Sequence, residues 1–526
     1  MYQGVRTYGA ILGYRAKREP DFEVLTFADG SLTYGELDRR ATRIANAFAA
    51  LGLEQGDAVA VQLPNSPEFV AVWFGLARAG LVEVPVNIGL RGDLLSYTLN
   101  QARCRAIVIA DEWLGRVEAI AAELEAIEHV VVVGEELRAR TLATVAFGQL
   151  LEGADTPVTT VVEPWDRNLV GFTSGTTGPS KGALLSHESG FEQALSAIET
   201  NEYEAGERFF TGFPLFHRNA RDTSVLAAMI LDGASAVLHQ GFSASRFWET
   251  TREQGVTVFN FMGAVLLILL KQPQRPDDAD NPVRKGWGAP APPAIKPVFE
   301  RRFGVLLSEG YGLTETGIIS SEGPSRRKLG SCGKPLPTYE VEIQDERGNR
   351  LAPGEVGEIC ARPTRPRVMF EGYVGMPEAS LEAFRGLWFH TGDRGFRDEE
   401  GWLHFVDRAK DVIRRRGENV SSWELEQVLN SYPSIAEAAV VGVPSELSEE
   451  EVLAFVQPVA GEDPAPEEIL DFAQDRVPHF AVPRYIEFVD SLPKNPQQRL
   501  QKFILRELGL PDTAWDRESA GYVVKR

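Results

Sequence analysis

Cysteine is scarce in this chain. Cys104, Cys332 and Cys360 are the only three in 526 residues, and they lie far apart. That spacing argues against a disulfide framework and against a cysteine zinc cluster, and it points to a reduced, cytoplasmic setting. Positive charge is in deficit as well. Lys and Arg total 54 against 75 Asp and Glu, a net charge of −21. Such a surface repels nucleic acid and anionic membranes, so any polyanion must be held in a local basic pocket. Long apolar runs are missing too. The most apolar stretch, GAVLLILL at 263–270, falls well short of the roughly 18 residues of a membrane span and reads as a buried strand or helix. The opening residues, MYQGVRTYGAILGYRAKREP, lack the charged, apolar, small order of a signal peptide. There is no internal repeat and no low-complexity tract, and the Pro-rich PAPPAIKP at 290–297 is too short for a linker.

What remains is an ordinary globular composition, 43% hydrophobic and 25% charged. A chain this long is expected to build more than one core. In SLTYGELDRRATRIANAFAALGL a strand start leads into apolar residues at helical spacing. AVAVQLPN (58–65) reads as a buried strand, followed by the helix SPEFVAVWFGLARAG with a serine cap and a glycine stop. LVEVPVN and AIVIA continue the alternation, which is expected to run to about residue 400 as an α/β fold with largely parallel sheets. Beyond it the chain becomes more charged, and the last part reads as a small α+β unit. The boundary is placed at 407–411, DRAKD, giving domains 1–408 and 409–526.

The strongest chemical signal is LVGFTSGTTGPSKGALLSH at 169–187. A buried strand runs into Thr173-Ser174-Gly175-Thr176-Thr177 and on to Lys181. Glycines let backbone N–H groups turn inward, hydroxyls add donors and the lysine adds charge, as a phosphate-cradling loop requires. The Walker pattern is not met, because Gly182 follows Lys181. A flexible surface loop is the plainer alternative.

This loop resembles the phosphate loop of the adenylate-forming superfamily: acyl- and aryl-CoA synthetases, peptide-synthetase adenylation domains and luciferases. SEGYGLTET (308–316), FHTGD (389–393) and DRAKDVIRRRGENVSSWELE (407–426) follow in the family's order. The resemblance spans essentially the whole chain and is strongest to small-carboxylate and carnitine-type acyl-CoA ligases. It implies an α/β fold, with a large N-terminal domain of stacked subdomains and a small mobile α+β C-terminal domain. It implies ATP or acyl-AMP, Mg²⁺ and coenzyme A as ligands, and a carboxylic acid as substrate. By the resemblance, Glu309 and Gly310 belong to the adenylate site. Tyr311 would stack on adenine, Thr314 would hold the α-phosphate and Glu315 the Mg²⁺. Asp393 would accept both ribose hydroxyls, with Arg408 beside it. Lys410 would be the hinge about which the small domain rotates between half-reactions. Gly417, Glu418 and Asn419 would then line the coenzyme A channel. Arg414, Arg415 and Arg416 form a basic run, read either as a solvated loop or, at Arg416, as a contact for coenzyme A phosphates.

FPLFHRNA (213–220) resembles the family's acyl-pocket segment, with His217 as its gate. Amino-acid-activating members carry an aspartate at this point, so an amino-acid substrate is disfavoured. Asn260, Phe261 and Met262, with Gly288 and Gly312, would complete the pocket, and its apolar character favours an apolar acid. The lesser alternative is that His217 is a satisfied core histidine.

One position departs from the family. Its last motif resembles Leu-Pro-Lys-Thr-x-x-Gly-Lys, in which the second lysine serves adenylation. Here LPKNPQQRLQKF places Gln498 at the glycine and Arg499 at the lysine. Arginine keeps the charge but presents a wide planar fork instead of a compact ammonium. The expectation is an enzyme that forms acyl-CoA from acyl-adenylate and CoA with self-adenylation weak or absent, a separate enzyme supplying the adenylate. Lys494 or Lys502 could substitute. A complete ATP-dependent synthetase is the first alternative, and an AMP-binding pseudoenzyme or sensor the second. Loading of a carrier protein differs only in the acceptor.

Overall fold

The computed structural model describes residues 1–135, 142–173, 180–270, 272–291, 293, 295–408, 412–445, 449–493, 500 and 502–525. Their contacts divide into two units. The first comprises Met1–Asn87, Leu99–Phe172 and Gly182–Asp407. The second comprises Arg408–Arg526 together with Ile88–Thr98 and Thr173–Lys181. The residues around the phosphate-loop motif therefore group with the C-terminal segment, which the linear division at 407–411 does not capture.

Local signals are obeyed in the first unit. Helix Tyr34–Ala50 opens with a capping box, in which the Thr33 hydroxyl and the Glu36 carboxylate exchange hydrogen bonds with each other's backbone. Helix Pro67–Ala79 is capped by Ser66 and ends at Gly80, whose φ of 71° lies in the left-handed region. Both helices bury an apolar face in the main core. A seven-stranded sheet contains the strands Ala58–Gln62, Val82–Pro85 and Ala106–Ala110, and ends in Arg167–Thr173 and Lys181–Ser186. A nine-stranded sheet carries Arg208–Thr211, Val258–Met262, Lys285–Ala289 and Leu306–Leu313 as parallel neighbours.

The alternation expected up to residue 400 stops earlier. Past Ser321 the chain turns to antiparallel pairing. Tyr339–Gln344, Gly357–Pro363, Trp388–Arg397 and Leu403–Arg408 share one sheet, with the short helix Pro377–Ala383 between strands. Half-buried antiparallel strands do not require the helical crossover that parallel strands do. GAVLLILL resolves as a helix, Gly263–Leu270. In the second unit, Ile435–Pro444, Glu450–Pro458 and Tyr485–Phe488 form a sheet closed by Trp515–Asp516. The tail GYVV at 521–524 forms no strand. Its Tyr522 and Val524 pack on this unit's core instead, and the Tyr522 hydroxyl donates to Asp471 at 2.8 Å. All three cysteines are buried and none is in a disulfide. No helix among the described residues is long and apolar enough to cross a membrane.

Candidate active site

Four of the parallel strands of the nine-stranded sheet each run directly into a segment singled out by sequence. Thr211 leads into FPLFH, Met262 into GAVLL and Ala289 into the proline loop, while the GYGLTE stretch forms the end of Leu306–Leu313. The carboxyl ends of parallel strands are where open α/β sheets bind ligands, because the outgoing loops leave backbone and side chains uncommitted there.

Tyr311 and Asp393, far apart in sequence, meet in the first unit. The Tyr311 hydroxyl donates to Asp393 Oδ2 at 2.7 Å. Burial and the neighbouring carboxylate hold this phenol well above its ordinary pKa, so it stays a donor. The Asp393 turn is tied to the strand Gly357–Pro363. Thr391 donates to the Ile359 carbonyl at 2.7 Å, and the Gly392 N–H donates to Glu358 Oε1 at 3.1 Å. The other Glu358 oxygen lies 2.8 Å from His390 Nδ1. Cys360 Sγ is 3.5 Å from that nitrogen. The three donors could suit a metal, but the Arg385 guanidinium already stands 3.1 Å from Nδ1 and 3.5 Å from Glu358. Burial pushes the Cys360 thiol up to about 12, so it stands neutral in this cluster. The cluster is therefore a charge-balanced brace for the HTGD turn.

Glycines let the motif segments touch. A Cβ at Gly312 would come within 2.0 Å of the Gly317 carbonyl oxygen, so the YGLTET turn closes only without one. A Cβ at Gly171, on the strand leading to the phosphate-loop motif, would sit 2.7 Å from the Thr314 methyl. Two side chains absent from the sequence reading hold this turn. Arg218 Nη1 donates to the Thr314 carbonyl at 2.8 Å, while its Nε pairs with Asp222 at 3.1 Å. The Tyr373 hydroxyl donates to Glu315 Oε1 at 2.8 Å, and the Phe370 N–H donates to the Glu315 carbonyl at 2.7 Å. Tyr373 is delivered by residues 371–374, which pair along Lys181–Ser186: Leu184 N–H to Gly372 O at 3.0 Å, and Val374 N–H to Gly182 O at 2.9 Å. FEGYVG marks a turn, but nothing in it names Glu315 as partner.

At the acyl segment, half-buried His217 lies against Phe216, ring centroids 4.4 Å apart. The π-helical turn Arg221–Leu226 follows, an irregularity that recurs at functional sites. Asn260 faces this turn: its Nδ2 reaches Asn219 Oδ1 at 3.0 Å, Thr223 Oγ1 at 2.9 Å and Ser224 Oγ at 3.0 Å. Strand alternation sends Phe261 the other way, into the aromatic core with Phe259 and Phe299. A Cβ at Gly288 would lie 1.8 Å from the Phe261 carbonyl oxygen. Asn260 is thus part of a polar cluster and Phe261 packs in the aromatic core. Met262 closes its strand. The Glu309 N–H donates to Glu322 at 3.0 Å, and burial raises the Glu309 carboxyl to about 8 against the opposing pull of Lys296. Gly310 lies against the Trp287 ring.

In the second unit, Thr173 Oγ1 donates to the Lys181 carbonyl at 3.3 Å across the neck of the phosphate-loop motif. The Ser180 N–H donates to Glu424 Oε1 at 3.0 Å. Ser174, Gly175, Thr176 and Thr177 lie outside the described residues, as do Lys410, Lys494 and Arg499. Arg408 ends the strand Leu403–Arg408, and Asn419 lies in Glu418–Ser421. The basic run meets acidic partners within its own unit: Arg415 pairs with Glu451 at 2.6 Å, and Arg416 with Glu451 at 3.4 Å and Glu518 at 3.3 Å. Lys502 is engaged by Glu426 at 2.6 Å and by Ser422.

The AMP-binding enzyme family matches residues 12–374, and the AMP-binding enzyme C-terminal domain matches 424–499. The chain belongs to this adenylate-forming family, in its acyl-CoA ligase branch, and is an acid–thiol ligase.

Among curated proteins it resembles the crotonobetaine/carnitine–CoA ligase of Salmonella arizonae, 33% identical over 89% of this chain and 92% of that protein. The ligase of the same name from Citrobacter koseri is 34% identical over the same shares. Among solved structures, the o-succinylbenzoate CoA synthetase of Bacillus subtilis with a bound product analogue gives a TM-score of 0.83 at 25% identity, covering 96% of this chain and 99% of that one. The anthranilate CoA ligase AuaEII with anthranoyl-AMP gives 0.72 at 26% identity, covering 96% and 98%.

Proposed function

We propose that this ligase joins a small carboxylic acid to coenzyme A through an acyl-adenylate, and that it carries out the thioester-forming half far better than the adenylating half. The observation that carries the second clause is Arg499 at the position where the family pattern has a lysine. A planar guanidinium does not replace a point-charge ammonium in a site shaped around it. Losing one such contact to a developing negative charge costs on the order of 10²–10³ in rate. A separate enzyme would then supply the adenylate.

In this reading Tyr311 stacks on the purine and Asp393 accepts the ribose hydroxyls, with the Tyr311 hydroxyl and the brace at Glu358 holding the carboxylate in place. Thr314, fixed through its carbonyl by Arg218, addresses the α-phosphate. His217 borders the acyl group, and the polar cluster at Asn260 lies next to it. The thiol sulfur bonds to the acyl carbon, the acyl–phosphate C–O bond breaks and AMP leaves with the electron pair, while the thiol proton passes to water. Glu315 is a buried oxygen donor held by Tyr373, which fits Mg²⁺, a hard cation bound by one or two carboxylates with substrate phosphates. Bound there, Mg²⁺ would neutralise phosphate charge during adenylation. Lys410 is the proposed hinge, and Gly417, Glu418 and Asn419 the lining of the thiol channel. The relatives' names suggest a short acid.

A second reading, a complete synthetase, is favoured by the retention of Lys181 and Glu315, which an enzyme given ready-made adenylate has less need of. One experiment separates the two. Purified chain receives acid, ATP and CoA in one mixture, and synthetic acyl-adenylate and CoA in another. Thioester from the second mixture alone supports the split reading, and Arg499→Lys should then raise ATP–pyrophosphate exchange by about 10²-fold. Vigorous exchange by the wild-type chain overturns the split. Nucleotide binding with no thioester from either mixture makes the chain a pseudoenzyme.

A further inference from the structure

The hairpin formed by Val412–Arg415 and Glu418–Ser421 turns through two residues, Arg416 and Gly417. Both have left-handed backbones, φ 52° and 85°. That suits a tight two-residue hairpin, but it costs a non-glycine residue on the order of 1 kcal/mol or more. Asn-Gly or Gly-Gly would make this turn without strain; Arg-Gly needs its surroundings to enforce it.

Those surroundings are three consecutive acids at the start of the neighbouring strand. Glu449 Oε2 accepts the Gly417 N–H at 2.7 Å. Glu450 Oε2 accepts the Arg414 N–H at 3.0 Å, on the strand that enters the turn. Glu451 pairs with the buried Arg415 at 2.6 Å and with Arg416 at 3.4 Å. Arg415 also donates to the Phe480 carbonyl at 2.7 Å and the Val482 carbonyl at 3.1 Å, which anchors the hairpin to the unit's interior. Glycine at 442 leaves room for this arrangement: a Cβ there would come within 2.5 Å of the Glu450 carboxylate. Of the three acids, Glu449 is the one that accepts a backbone N–H of the tip.

We propose that Glu449 is a positioning residue for thioester formation, its carboxylate holding the Gly417 amide so that the hairpin tip keeps the left-handed turn presented to the acyl-adenylate and the incoming thiol. This rests on the thioester-forming role proposed above for the hairpin. Glu449 touches no reacting atom; it acts through Gly417. A backbone amide bonded to a carboxylate is held more tightly than one bonded to water, since a charged acceptor roughly doubles the strength of the bond.

The test measures thioester formation from synthetic acyl-adenylate and CoA by the full-length chain, with binding of the acyl-adenylate measured separately. Glu449→Ala should lower kcat for thioester formation about tenfold to a hundredfold, with acyl-adenylate affinity within about twofold of wild type. Glu449→Gln keeps an acceptor oxygen for the Gly417 amide and should recover most of that rate. Hydrogen exchange should show faster exchange at 416–418 in Glu449→Ala and near-wild-type exchange in Glu449→Gln. A Glu449→Ala rate equal to that of an active wild type overturns this inference alone. So does equal loss of rate and adenylate affinity, which would mark a general collapse of the unit. No thioester from the wild-type chain overturns the underlying reading and this inference with it.

Discussion

The Tyr311–Asp393 region and the 412–421 hairpin are both antiparallel arrangements that hold residues assigned to the substrate, yet opposite physics holds them. In the first, uncharged donors reach each acid: a phenol on Asp393, another on Glu315, and backbone amides on Glu358 and Glu322, the last two also facing Arg385 and Lys296. In the second, guanidinium groups and a run of carboxylates balance one another around a strained turn. Buried hydrogen bonds of the first kind are little affected by ionic strength. Exposed pairs such as Arg416–Glu518 are screened within roughly 10 Å at ordinary salt.

The largest effect should come from breaking the first region at its centre. Asp393→Ala removes the proposed acceptor of the ribose hydroxyls and breaks the hydrogen bond from the Tyr311 hydroxyl. Affinity for a non-reactive acyl-adenylate analogue should fall about 10²–10³-fold, read by calorimetric titration. A loss under threefold would place the ribose elsewhere.

A smaller pair of changes sharpens the contrast itself. Tyr373→Phe should cost about 1–2 kcal/mol in urea denaturation, because the buried Glu315 carboxylate loses the Tyr373 hydroxyl, and the cost should be the same in low and high salt. Arg416→Ala should cost no more than about 1 kcal/mol, and that cost should shrink as salt is added. Equal salt dependence for both variants would erase the distinction.

The smallest effect is a pH slope. Folding raises the Glu309 carboxyl from its ordinary 4.5 to about 8 through burial. Between those values the folded chain keeps a proton that the unfolded chain releases. The resulting stability is fully present below about 4.5 and is lost as pH rises through about 8. Glu309→Gln, which cannot titrate, should flatten that decline in Tm; an unchanged slope would show that Glu309 ionises normally.

Much of this was legible beforehand where the signal is local. Thr33 with Glu36, and Ser66 with Gly80, announce helix ends because a cap involves residues three or four apart. Gly310 and Gly312 mark a close backbone approach. The antiparallel sheet after Ser321 was not legible, because short half-buried strands leave only a weak period-two pattern. The opposite facing of Phe261 and Asn260 was not legible for a related reason: an apolar stretch does not say which of its faces meets the core. Arg218 and Tyr373 carried no sign at all, since their partners Thr314 and Glu315 lie far away in sequence.

The sequence by itself determined the family, the order of the motifs and the one substituted lysine position, because these are matters of residue type and spacing. Tertiary structure alone decided who holds whom. Tyr311 meets Asp393, Tyr373 meets Glu315 and Glu449 meets Gly417 only after distant strands are brought alongside one another. Hydrogen bonds act over about 3 Å, whatever the separation along the chain.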